Sequence, residues 1–182
     1  QTVHKLDESN GFKKFKFGMA SSQFENTLKE KTSSLPLKEV KKYEYTGTDI
    51  SFLHGVKIES IELAFFKNKL YMVGVNFGSL SKEYSVGEKN TLIYGLKSNF
   101  GNDTHDCRNP SKTDSNVLDC TIWDGRKVRL EHIRANFSNP EKAEETKSNS
   151  IMGYLLFTDK KLQKEQQNIE LENWDYGKIL FI

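Results

Sequence analysis

A chain of 182 residues with 27 basic and 25 acidic side chains, net charge +2, lacks the concentrated positive surface that neutralising a phosphate backbone requires, so its composition gives no support for nucleic-acid binding. Its 12% aromatic content is too high for a disordered chain, and the length suits one packed domain. No segment approaches the roughly 18 apolar residues that a membrane span needs; the longest apolar stretches, such as Leu70–Phe77, are of strand length.

In chain order, residues 1–11 are polar and close on Asn10-Gly11, a turn signal, which predicts a flexible leader. Gln1 fits a first residue left by signal-peptidase cleavage, although other trimming looks the same. Phe12, Phe15 and Phe17 then alternate with lysines up to Gly18 and predict a short extended entry. Ser21 or Ser22, with Glu25 three residues after Ser22, forms a capping-box pattern for a helix over about 20–31, with Phe24 and Leu28 on one face. From Lys42 the period changes to two, with Tyr43 and Tyr45 alternating. A strand over Val56–Phe66 puts Ile61, Leu63 and Phe65 on one face; Lys67-Asn68-Lys69 turns it into Leu70–Phe77, with Tyr71, Val73, Val75 and Phe77 on one face.

A second helix, over about 87–99, carries Leu92 and Leu96 and ends at Gly101, a favoured C′ residue. After a polar loop, Leu118–Trp123 and Lys127–Ala135 flank the turn Asp124-Gly125, residues 136–149 form a solvated loop, and Ile151–Phe157 is a final central strand. Lys160–Gln167 reads as a helix, and the tail NWDYGKILFI as an edge strand or a segment packed across the domain.

A helix followed by three strands thus occurs twice, with a period of about seventy residues. GVKI at Gly55–Ile58 echoes GRKV at Gly125–Val128, and Leu28-Lys29 echoes Leu96-Lys97. The expected fold is therefore α+β: one domain over 12–182, with tandem α-β-β-β units at about 15–80 and 85–158 and a C-terminal helix and tail over 159–182. The units would share a largely antiparallel sheet with the helices packed on one face and an open concave face opposite. The stretches FKFGMASSQFENTLKEK and GVKIESIELAFFKNKLYMVGVNF resemble small exported bacterial proteins in which a phenylalanine-glycine entry and short helix precede an antiparallel meander. In element order over about 15–157 the chain is similar to outer-membrane assembly lipoproteins of the SmpA/OmlA type and to β-lactamase inhibitor proteins. It departs from the lipoprotein pattern in having no cysteine at position 1, and no functional residue carries over. The resemblance implies an envelope or secreted binding module.

Cys107 and Cys120 are separated by the turn-forming segment RNPSKTDSNVLD, so the two sulfurs can meet. Their pairing is expected, contributing about 3 kcal/mol through loop closure, and points to an oxidising compartment; two reduced thiols are the alternative. Zinc finds no second Cys or His pair at ligand spacing.

Four histidines, His4, His54, His105 and His132, are scattered along the chain. His105 stands near Asp103, Asp106 and Cys107, where an imidazole would draw a thiol toward thiolate, but residues two apart in a loop need not face each other, and a disulfide removes the nucleophile. Asn102, Asp103 and Asp106 carry oxygen ligands suited to calcium without the spacing of an EF-hand, and read equally as turn formers. Arg126, His132 and Arg134 share one expected strand face, and Lys127 and Arg129 the other; such a basic face suits an anion or acidic partner, or is simply solvated. Phe66, Met72, Trp123 and Tyr154 are expected on the sheet face opposite the helices, where an aromatic surface would grip a peptide, glycan or protein unless a second core layer covers it. Phosphate loops, GxSxG elbows and HExxH helices do not occur, and no cofactor is implied. The leading expectation is a non-enzymatic periplasmic or secreted module that binds another protein or an envelope component. The rival is a small hydrolase or a metal- or ligand-binding enzyme centred on the loop of His105 and Asp106.

Overall fold

The computed structural model describes residues 3–32, 37–79, 81–102, 104–106, 116–138 and 149–179. Among these residues three helices, α1 (Val3–Ser9), α2 (Val86–Phe100) and α3 (Lys160–Ile179), accompany eleven strands and a 3-10 helix over Ser21–Thr27. Seven strands form one antiparallel sheet in the order β3 (Leu28–Lys31), β4 (Val40–Tyr45), β7 (Ser60–Phe66), β8 (Lys69–Phe77), β11 (Asn149–Asp159), β10 (Val128–Ser138) and β9 (Val117–Asp124). The pairs β1 (Gly11–Phe12)/β2 (Phe15–Lys16) and β5 (Phe52–Leu53)/β6 (Val56–Lys57) are separate small hairpins. Two meanders therefore meet through β8 and β11, whose register sets Val75 opposite Leu155 and Val73 opposite Phe157.

This architecture corrects the expected α+β class with helices on one face: the chain is dominated by its antiparallel sheet, and helices cover both sides of it. On the first face, Leu63, Val73, Val75, Leu130, Leu155 and Phe157 are buried beneath Leu6 of α1, Phe24 of the 3-10 helix, and Leu92 and Leu96 of α2. On the second face, Ala64, Phe66 and Tyr71 are buried against Leu162 and Ile169 of α3. The larger apolar face recruits three elements; the smaller apolar patch, at one end of the other face, recruits one.

Several local expectations also change. The leader is not loose: Leu6 is fully buried, and Asp7 accepts from the backbone N–H groups of Arg126, Lys127 and Val128 at 2.8–3.0 Å, fixing the β9–β10 turn. The first helix covers only Ser21–Thr27, because Phe24 has non-helical torsions (φ −126°, ψ 15°) and Leu28–Lys31 pairs with Lys42–Tyr45 as a strand. The expected strand from Val56 is broken, with Val56–Lys57 belonging to the β5–β6 hairpin and β7 starting at Ser60. Of the loop expected over 136–149, residues 136–138 continue β10 and Asn149 begins β11, while residues 139–148 lie outside those described. The tail is helical to Ile179 rather than an edge strand.

Other signals act as the chemistry predicts. Lys67 and Asn68 adopt positive φ (49° and 60°) in the β7–β8 turn. Glu88 and Ser85 exchange capping bonds at the start of α2, and Gly101 terminates it at φ 88°.

One contact fixes how α2 and its leading segment sit on the sheet. Tyr84 is buried with its ring stacked on Phe77 (5.6 Å) and directly over Gly153, where a Cβ would lie 2.4 Å from the Tyr84 ring. Only glycine leaves room for that ring. Gly153→Ala should therefore cost roughly 1–3 kcal/mol through overpacking, read as a lower urea midpoint with an unchanged slope.

Candidate functional site

Among the described residues, the cover on the second sheet face lies at one end. Leu162 and Ile169 of α3 cross the strand ends at Val40, Phe66, Tyr71 and Met72. Beyond them lies a trough whose floor is Gly74, paired with Glu62 on one side and Leu156 on the other. A Cβ at Gly74 would meet only ordinary contacts, the nearest being Glu62 Cβ at 3.8 Å, so the missing side chain leaves open space. Met72 and Leu156 wall a hollow of about 100 Å³ there. Tyr154 continues the same face, opposite Asn76 and Ile133, and all three are half-buried. Asn76 Nδ2 donates to Ser60 Oγ at 2.6 Å, and Arg129 and Glu131 pair at 2.6 Å toward the β9 side. The surface is thus a mixed apolar and polar floor with a charged rim, the anatomy of a protein-contact surface.

The residues expected there divide. Met72 and Tyr154 line the open face, but Phe66 is buried under α3. Trp123 is buried on the opposite face, with Nε1 donating to the Gly101 carbonyl at 3.0 Å. Arg126 stays exposed at the β9–β10 turn, where its Nη2 lies 3.1 Å from His4 Nε2, away from His132 and Arg134. The trough residues that sequence reasoning missed are Gly74, Ile133 and Leu156; a glycine inside an otherwise regular strand was the available signal.

His132 and Arg134 do not form a basic surface. They share a parity with Val128 and Leu130, and so point into the first face. Arg134 donates from Nε to the Tyr84 carbonyl (3.2 Å) and pairs with Asp119 (3.3 Å) and Glu83 (3.7 Å), while Lys89 of α2 also reaches Asp119 at 3.3 Å. His132 is fully buried; its Nε2 is hydrogen-bonded to Tyr84 Oη at 3.2 Å, and its Nδ1 has no hydrogen-bond partner among the described residues. Burial pushes His132 down to about 4, reinforced by Lys89 and Arg134 and opposed by Asp119, and burial likewise raises Tyr84. Both rings are therefore neutral at pH 7. The cluster anchors α2 and offers no anion site.

The His105 loop forms a different feature. His105 exchanges backbone hydrogen bonds with Ile122 (3.1 and 2.9 Å), extending the sheet edge beside β9. A polar cleft of about 250 Å³ lies between this segment and α2, lined by His105, Asp106, Lys89, Lys97 and Asp119. Cys120 borders it, while Cys107 and Asp103, the other members of the expected constellation, lie outside the described residues. The remaining histidines are elsewhere: His54 packs over Gly95 of α2, where a Cβ would lie 2.2 Å from the ring, and burial lowers its pKa. Among the described residues no group of three His, Cys, Asp or Glu side chains is placed to hold a metal ion, and no helix is long and apolar enough to cross a membrane.

No family model, curated protein or solved structure matches the chain.

The buried imidazole sets a pH dependence with a definite sign. Unfolded His132 takes up a proton near 6.5, while the folded group resists until about 4. Its contribution is complete above pH 6.5 and is lost as pH falls toward 4, because the unfolded chain then binds more protons. Between pH 7 and 4 the wild type should lose up to about 3 kcal/mol that a His132→Gln variant does not lose, measured as the difference in slope of urea-unfolding free energy against pH.

Proposed function

We propose that this chain is a non-enzymatic interaction module of the cell envelope, periplasmic or secreted, that binds a protein partner across the open part of its second sheet face. The observation that carries the reading is the trough over Gly74, lined by Met72 and Leu156, beside the patch of Phe66 and Tyr71 against which Leu162 and Ile169 of α3 pack. A half-apolar sheet surface with paired charges at its margin suits a polypeptide, which can lay alternate side chains into the hollow while the rim sets its orientation. Two meanders meeting edge to edge build a surface wider than either alone.

The Cys107–Cys120 disulfide supports the compartment. Cys120 is buried on β9, next to the segment that leads to Cys107 in sequence. In the denatured protein without reductant no thiol should titrate, and two should appear after reduction. Two titratable thiols in protein kept from reductants throughout would remove the case for an oxidising compartment. The rival hydrolase has less support, since the cleft beside His105 presents lysine–carboxylate contacts and no paired nucleophile and base among the described residues.

Gly74→Gln tests the binding surface, because it fills the trough at a position whose backbone accepts a side chain. Immobilised wild type should retain an envelope protein that the Gly74→Gln and Tyr154→Lys variants release, while Phe52→Ser, on an exposed hairpin away from this face, keeps it. Equal retention by all four proteins, or none by the wild type, would reject the surface.

A further inference from the structure

A separate cleft opens at the first-face end of the sheet, between the start of β4, the β7–β8 turn and the start of the 3-10 helix, with a volume of about 450 Å³. That size lies within the range of small-molecule sites and exceeds the trough over Gly74. Its apolar wall is aromatic: Tyr43 is half-buried and meets the buried Phe65 edge to face, ring centroids 5.6 Å apart at 84°. Both rings are held from behind, since Phe65 also lies 6.5 Å from Phe24. This wall is therefore pre-formed rather than assembled on binding.

The opposite side of the cleft is polar and carries net positive charge. Lys41 is exposed and has no carboxylate partner among the described residues. Lys67 is held above the Phe66 ring (5.3 Å) and only loosely paired with Glu39 (3.7 Å). Asn68 commits its Oδ1 to Ser21, accepting from the backbone N–H at 3.2 Å and the hydroxyl at 2.8 Å, which keeps its amide NH2 as a donor. The turn that presents these groups is rigid: Glu39, Lys67 and Asn68 all have positive φ (59°, 49° and 60°), and Lys67 N–H donates to the Glu39 carbonyl at 3.0 Å. Cations and an amide donor on one side and ring edges on the other select a ligand with an acid group on a flat apolar body.

We propose that this cleft binds a small anionic ligand with an aromatic or similarly flat ring body, the ring against Tyr43, which Phe65 backs, and the acid group on Lys41 and Lys67. The site is distinct from the trough over Gly74, with which it shares no lining residue.

Two fluorescent probes that share a skeleton test it: 8-anilinonaphthalene-1-sulfonate, which carries the acid group, and N-phenyl-1-naphthylamine, which lacks it. The wild type should bind the sulfonate at a single saturable site and the amine more weakly. A Lys41→Gln/Lys67→Gln variant should lose about tenfold in sulfonate affinity, the scale of two modest charge contacts, with the amine unchanged. Tyr43→Leu keeps an apolar side chain against the core and should weaken both probes. Gly74→Gln should leave both unaffected, so failure here is distinguishable from failure of the partner surface. Sulfonate affinity unchanged in the lysine variant, loss of binding in Gly74→Gln, or no saturable sulfonate binding by the wild type would each overturn the proposal.

Discussion

The pairing of β8 with β11 is the constraint on which the rest of the molecule depends. It joins two meanders that are far apart in sequence, and sets Met72–Phe77 against Gly153–Thr158 in antiparallel register. Each strand of this central pair carries one interior glycine, and the register places them on opposite faces. Gly153 faces Phe77 on the first side, where the Tyr84 ring occupies the space a side chain would need. Gly74 faces Leu156 on the second side, where a Cβ would meet Glu62 at ordinary contact distance. A one-residue slip of this pairing would exchange the two faces of one half of the sheet. Depending on which half turned over, it would bury Asn76 and expose Val75, or bury Tyr154 and expose Leu155.

Beneath α2 the same register brings together groups that are costly to bury singly. Arg134 loses nearly all contact with water and is compensated by Asp119, Glu83 and the Tyr84 carbonyl. A buried cation with three acceptors is tolerable, whereas one that loses its main carboxylate is strongly destabilising. The requirement is also geometric. Tyr84 must lie on Gly153 for its carbonyl to reach Arg134 and its hydroxyl to reach His132, and Lys89, one turn into α2, must then meet Asp119. Apolar packing of Leu92 and Leu96 alone would let the helix slide; the polar cluster defines its position.

Much of the scaffold was legible because its signals are local. The β7–β8 hairpin follows from alternation on either side of Lys67-Asn68, and α2 from the spacing of Leu92 and Leu96 and the Gly101 that ends it. What escaped depends on partners distant in sequence. In β8 the register shift opposite Ala64 and Phe65 leaves Leu70 and Tyr71 both buried on different faces, so simple alternation assigned Tyr71 to the wrong side. Leu28 fits a helix by spacing but becomes a strand residue because β4 offers it a ladder. Leu6 sits among polar residues and is buried only because α1 closes over the β9–β10 turn through Asp7. The candidate site follows the same division. Met72 and Tyr154 were found by parity, and parity from Val128 and Leu130 also placed His132 and Arg134 inside, against the reading of a basic face. Trp123 was misplaced because its pairing with Leu130, invisible in either strand alone, turns it toward the core.

The asymmetry between the two faces bears on function more than any single residue does. The first face gathers four covering segments, including the β1–β2 hairpin with its buried Phe12 and Phe15, so its apolar surface is spent on stability. Among the described residues the second face receives α3, which packs on the Phe66–Tyr71 patch and reaches Lys38, whose backbone N–H Glu170 accepts at 2.7 Å. A sheet that needed both faces for its own stability would carry continuous apolar side chains across β7, β8 and β11. Here the second face alternates Glu62, Gly74, Asn76 and Glu131 with Met72, Leu156, Tyr154 and Ile133, a composition that water tolerates and that a partner can still desolvate. The larger core is thus concentrated on one side of the sheet, and a change that fills the trough on the second side leaves that packing untouched.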